Sequence, residues 1–171
     1  MKLNLREIIE IPGGSVPFAQ ELDTALLDFP SVRAYTAPIT AEGKVVNTAG
    51  ILTLQGKLHA EMLCVCDRCG AEFPRTVDLD LHADITADAQ DDDPEVFTLD
   101  GDWLDVDEVL STCFILSMDT KCLCKPDCAG LCDRCGANLN LGPCRCQKPR
   151  DPRMAVLEQL LDNKTDEEEE A

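Results

Sequence analysis

The hexapeptide Cys-Asp-Arg-Cys-Gly-Ala occurs twice in the chain, at Cys66–Ala71 and again at Cys132–Ala137. In a Cys-x2-Cys-Gly turn both sulfurs point the same way, and the glycine frees the backbone to aim amide groups at them. The pattern is that of a zinc knuckle, and zinc takes four such ligands. Around the second copy the supply is ample. Cys122, Cys124, Cys128, Cys132, Cys135, Cys144 and Cys146 all fall between residues 122 and 146.

Disulfides are the competing use of so many cysteines, and the compartment decides between them. The amino terminus has charges at Lys2, Arg6, Glu7 and Glu10 and lacks the apolar run of a signal peptide. Nothing is long and apolar enough to span a membrane. Both observations point to the cytoplasm, where thiols stay reduced and bind metal. An odd total of 11 cysteines also suits zinc with spare thiols better than complete pairing.

Charge limits the partners. The chain has 15 basic and 33 acidic residues, a net of -18. Residues 119–149 are its only basic stretch, and a zinc ion bound by four thiolates there brings a charge of -2 that cancels the excess. Such a polyanion is repelled by naked nucleic acid, whose binding needs phosphate neutralisation. A basic protein suits it better. Direct RNA contact is the weaker alternative and would fall to Lys121, Lys125, Arg134, Arg145 and Lys148.

The pattern along the chain is that of an α+β protein, an antiparallel β-sheet or barrel-like set of hairpins with packed helices and a small Cys-rich zinc module near the C-terminus. Strand-like segments run from Ser31 to Ala87, with turns read at Glu42-Gly43 and Gln55-Gly56. After the first knuckle, Val77, Leu79, Leu81, Ala83 and Ile85 alternate with Asp78, Asp80, His82 and Asp84, a half-buried strand with an acidic outer face. Asp91–Pro94 reads as a solvated break and Val96–Leu99 as a short edge strand. Asp105 opens a helix as the start of a capping box with Glu108, with Val106, Val109, Leu110, Cys113 and Phe114 at helical spacing. Trp103 is expected to be a packing anchor, and Cys113 to be inert core. The expected divisions are a core at 1–118, a zinc module at 119–149, a C-terminal helix at 150–163 and a disordered acidic tail at 164–171.

Taken together, Cys66-Asp-Arg-Cys69 after a hairpin, Gly101-Asp-Trp-Leu-Asp-Val106 opening a helix, the run Cys124-x3-Cys128-Ala-Gly-Leu-Cys132-x2-Cys135-Gly-x-Asn138-Leu-Asn140-x3-Cys144-x-Cys146, and Asp151-Pro-Arg-Met-Ala-Val-Leu157 resemble the YceD family. Its members are called large ribosomal RNA subunit accumulation proteins. The resemblance implies a bacterial cytoplasmic or plastid protein acting in synthesis, processing or stability of large-subunit ribosomal RNA, without an established enzymatic activity. It also implies a basic ribosomal protein, or a large-subunit assembly intermediate, as partner. Some members lack the cysteine-rich stretch, so the zinc is read as structural. The chain departs from the family at Leu116-Ser-Met118, where a Leu-Pro element is commoner.

For the ligands, Cys132, Cys135, Cys144 and Cys146 form the first set, because the 136–143 loop has turn formers able to fold one pair onto the other. Cys128 is the rival for a place in the last pair. Cys66, Cys69, Cys124 and Cys128 would form a second set, the alternative being a reduced pair at 66 and 69 with Arg68 as the working residue. Cys64 and Cys122 are left as spare thiols. A redox role for Cys66 and Cys69 would need a helix N-terminus to lower a thiol pKa, and a strand follows instead. His59 and His82 lie on strands without metal spacing.

Overall fold

The computed structural model describes residues 1–86 and 96–146. The solvated break at 91–94, the C-terminal helix, the acidic tail and Lys148 lie outside them. By its contacts the chain divides into two units, Met1–Cys128 and Ala129–Ala171. Residues 119–128, assigned from sequence to the cysteine-rich module, belong to the first.

That unit begins with a short strand β1 (Lys2–Asn4) and one turn of helix, α1 (Arg6–Ile9). Strands β2 (Ser15–Leu22), β3 (Val32–Tyr35), β4 (Ile39–Thr48), β5 (Ile51–Val65) and β6 (Glu72–Thr86) follow, then β7 (Val96–Thr98), β8 (Trp103–Asp105) and the helix α2 (Val106–Ser117). The main sheet runs β2-β4-β5-β6-β7, with β3 also on β5, while β1 and β8 form a separate pair. All these pairings are antiparallel except β6 with β7. The sheet is open and does not close into a barrel.

The expected turns at Glu42-Gly43 and Gln55-Gly56 are not turns. Both glycines sit inside long strands and face one another, and the chain reverses instead at Ala49-Gly50, where both residues have positive φ. The reason is steric. A Cβ on Gly43 would stand 2.2 Å from the Gln55 carbonyl oxygen, and one on Gly56 would stand 2.4 Å from that of Glu42. Only glycine permits so close an approach of β4 and β5. Gly43→Ala must push the strands apart, and urea unfolding should show a loss of about 1–3 kcal/mol.

One sheet face is buried. Phe18 and Leu22 of β2, Ile39 and Val45 of β4, Leu54, Leu58 and Met62 of β5, and Leu81 and Ile85 of β6 alternate inward with period 2. Helix α2 contributes Val109, Leu110 and Phe114 to the same core, and Phe114 meets Phe29 edge-to-face at 5.8 Å. Asp105 caps this helix by accepting from the Asp107 amide at 3.2 Å. In β8 the inward residue is Leu104, 1% exposed, so Trp103 faces outward at 45% and is no packing anchor. Asn47, fully buried, donates to the Ile8 and Ile9 carbonyls and accepts from the Gly50 amide, which ties α1 to the β4–β5 turn.

The other face lies open. The register aligns Glu21, Thr40, His59 and Asp78 in one row across β2, β4, β5 and β6, and Ala19, Glu42, Lys57 and Asp80 in the next. These rows line a trough of about 690 Å³.

Candidate metal centres

The first hexapeptide is the whole connection between β5 and β6. In it the Cys66 amide donates to the Ala71 carbonyl, the Gly70 amide donates to the Cys66 carbonyl, and Gly70 has φ +68°. The second copy repeats this. The Cys132 amide donates to the Ala137 carbonyl, the Gly136 amide donates to the Cys132 carbonyl, and Gly136 has φ +70°. A residue with a Cβ is strained at such a φ, so the glycine is what shapes both turns.

Each turn gathers a second pair of sulfurs from within its own unit. Cys66 and Cys69 meet Cys124 and Cys128, while Cys132 and Cys135 meet Cys144 and Cys146, and in each set all four sulfurs lie within 4.8 Å of one another. Cys128, the rival for a place beside Cys144 or Cys146, stands instead in the set of Cys66, the first along the chain. The separations suit a metal ion. Four thiolates at about 2.3 Å around a tetrahedral zinc lie about 3.8 Å apart. The Sγ atoms of Cys66 and Cys128 are 3.8 Å apart, those of Cys69 and Cys124 3.7 Å, and those of Cys132 and Cys144 3.4 Å. None of the 11 cysteines is joined in a disulfide.

Asp67 and Arg68, the two middle residues of the first knuckle, bring in the distant pair. The Cys122 amide donates to the Asp67 carboxylate at 2.6 Å, and the Asp67 amide donates to the Cys122 carbonyl at 2.9 Å. Arg68 donates to the Cys128 carbonyl at 2.8 Å. In the second unit two asparagines do this work. Asn140 accepts from the Ala129 amide at 2.9 Å, and Asn138 accepts from both the backbone and side-chain N–H of Asn140. Among the described residues, the Asp-Arg dipeptide thus ties down a distant pair in the first copy, which the sequence repeat gives no means of telling.

The leading cysteine of each turn is the acidic one. Burial pushes the Cys66 thiol up, but the amides of Cys124, Cys69 and Arg68 outweigh it and bring the thiol down to about 6. The amides of Cys135 and Arg134 pull Cys132 down to about 7, aided by the Cys144 thiol. One member of each second pair moves the other way. Burial, with Cys66 and Cys69 beside it, pushes Cys124 up to about 12, and Cys146 rises to about 12 beside Cys135 and under burial. A thiol lowered in this way gives up its proton readily, and a metal ion binding to thiolates displaces the protons that its ligands hold. The lowering comes from backbone amides, of which that of Cys124 lies outside the knuckle turn, and from neighbouring thiols. The first set is closed from solvent apart from a part-exposed Cys124, whereas Cys135 of the second is exposed.

Cys64 and Cys122 are both buried and adjoin one another. Burial and the neighbouring Cys122 push the Cys64 thiol up to about 11. Arg75 reaches within 3.9 Å of the Cys122 sulfur and pairs with Asp119 at 2.5 Å. Cys113 is partly buried, and burial raises its pKa. His59 binds Asp78 at 2.6 Å and His82 lies 4.0 Å from Asp84, and neither belongs to a cysteine set.

Comparison with known proteins gives a consistent result. Residues 54–161 match the family model described as Large ribosomal RNA subunit accumulation protein YceD. Uncharacterized proteins of Mycobacterium tuberculosis and Mycobacterium bovis are 27% identical over 122 residues, covering 68% of this chain and 58% of theirs. The Zea mays protein named Large ribosomal RNA subunit accumulation protein YCED homolog 1, chloroplastic, is 24% identical over 147 residues, covering 67% of this chain and 50% of its own. The chain thus spans about half the length of the curated relatives it matches. No solved structure matches it. Among the described residues no helix is long and apolar enough to cross a membrane.

Proposed function

The chain belongs to the YceD family, and from that premise we propose that it is a non-enzymatic cytoplasmic factor of large-subunit biogenesis. In this reading it supports accumulation of the large-subunit ribosomal RNA by holding a basic ribosomal protein or assembly intermediate. The two cysteine sets hold zinc as structural ions. The observation that carries the partner reading is the open sheet face. Glu21, Glu42, Asp78, Asp80 and Asp84 face solvent there, against Lys44 and Lys57. A surface of this sign steers a cationic client and repels bare phosphate.

A pull-down from lysate, washed with rising salt with and without ribonuclease, tests the reading. Capture of a basic ribosomal protein that resists ribonuclease and is lost at high salt supports it. Capture that ribonuclease abolishes would shift the function to direct RNA binding through Lys121, Lys125, Arg134 and Arg145.

His59 makes this face responsive to pH. Hydrogen bonds to Asp78 and Glu61 raise its pKa above the usual 6.5. The stabilisation of charged His59 is therefore full below the unfolded-state pKa and is lost as pH rises through the higher folded value. NMR titration of the imidazole should give a midpoint above 6.5, and Asp78→Asn should bring it back toward that value.

A further inference from the structure

Strand β6 has one edge largely open. Its β5 side is paired from Glu72 to Ile85, but on the other side β7 reaches only Asp84, Ile85 and Thr86. Among the described residues no strand pairs with that edge from Glu72 to Ala83. Beside it, between β6 and α2, runs a groove of about 460 Å³ whose lining includes Leu79, Ala83, Phe97 and Leu116 together with Asp80 and Asp84. Leu116 is 72% exposed, an unusual place for a leucine.

The two sides of this edge differ in chemistry. Leu79, Leu81 and Ala83 point to the groove side, whereas Asp78, Asp80 and Asp84 point to the open face. From β5, Lys57 lies 3.8 Å from Asp80, His59 2.6 Å from Asp78, and the Thr53 hydroxyl 3.3 Å from Asp84, while His82 of β6 itself lies 4.0 Å from Asp84. A strand laid along the edge would alternate in the same way, one set of side chains entering the groove and the other standing beside the carboxylates. A second copy of β6 is a poor occupant, because antiparallel pairing would set aspartates against aspartates. We propose that the open edge of β6 receives an extended segment of the basic partner in which apolar residues alternate with lysine or arginine, adding a strand to the sheet. This rests on the basic-client reading and specifies how the client is held: backbone hydrogen bonds supply affinity, and the two faces supply specificity.

Synthetic peptides about ten residues long, the length of a long natural strand, separate this from charge attraction alone. One alternates valine and lysine; a second has the same composition with the lysines in one block. Two more carry N-methyl groups on alternate amides of the alternating peptide, in either phase. With the full zinc-loaded chain at low salt, the alternating peptide should bind roughly tenfold or more tighter than the block peptide, and methylation in one phase alone should abolish that advantage. Hydrogen exchange of β6 amides between Thr76 and Ala83 should slow on binding. Leu116→Ser, a neutral change at an exposed site, should weaken the alternating peptide and leave the block peptide unchanged. Equal binding of all four peptides would overturn strand addition while leaving an acidic face for a basic client. Failure of every basic peptide to bind would overturn both.

Discussion

Cys66→Ser should destabilise the whole of residues 1–128, while Cys135→Ser should leave the unfolding of the sheet where it is. Cys66 stands between the two longest strands, and its partner Cys128 lies 62 residues away in sequence. A metal ion there acts as a cross-link over that span, and losing it should cost on the order of 4 kcal/mol by analogy with a disulfide closing a loop of similar length. Asp67 and Arg68 would still hold the 122–128 segment, but through hydrogen bonds worth about 1 kcal/mol each. Cys135 shares its set only with Cys132, Cys144 and Cys146, all in the second unit. Urea titration followed by Trp103, the only tryptophan, with zinc counted by native mass spectrometry, checks both. The wild-type chain should carry two ions, and each variant one. Equal midpoints for Cys66→Ser and wild type would show that hydrogen bonds and apolar packing alone fasten the segment.

Depletion of the protein should lower the ratio of large- to small-subunit ribosomal RNA and enrich incomplete large particles in sucrose gradients. If a basic component of the large subunit is left without its carrier, RNA that cannot assemble is degraded. Asp78→Lys with Asp80→Lys reverses the charge of two exposed carboxylates on the open face and should reproduce part of that loss. The two substitutions touch no cysteine, so zinc content should stay unchanged and separates a lost surface from a lost fold. An unaltered subunit ratio after full depletion would remove the ribosomal assignment. Rescue by residues 119–149 alone would move the mechanism to RNA.

Much of the site was legible because its signals are local. Two cysteines at knuckle spacing followed by glycine dictate their own turn, and the alternation from Val77 to Ile85 dictates which side of β6 is wet. The cap at Asp105 is equally local. What was not legible depends on facing partners. Gly43 and Gly56 read as turn residues because glycine favours turns, and only the opposing strand reveals that their missing side chains make room for backbone. Trp103 reads as core because it is large, yet the phase of a three-residue strand turns Leu104 inward instead. Asp67 and Arg68 occur identically in both hexapeptides, and only the fold tells which copy uses them as a tether. The low thiol pKa of Cys66 likewise escapes a rule that looks for a helix, since its amides come partly from a residue 58 positions along the chain.

The long span between the two halves of the first cysteine set also has a consequence in time. During synthesis at roughly 5–20 residues per second, Cys124 and Cys128 emerge several seconds after Cys66 and Cys69. For that interval the β5–β6 turn presents its thiols with half a ligand set, open to oxidants or to stray metal ions. Cys132 and Cys144, 12 residues apart, are made in about a second or two. The second set could thus load as it leaves the ribosome, while the first waits for nearly all of its unit to be made, so that a metal ion held at Cys66 would mark a chain whose sheet-bearing unit is complete.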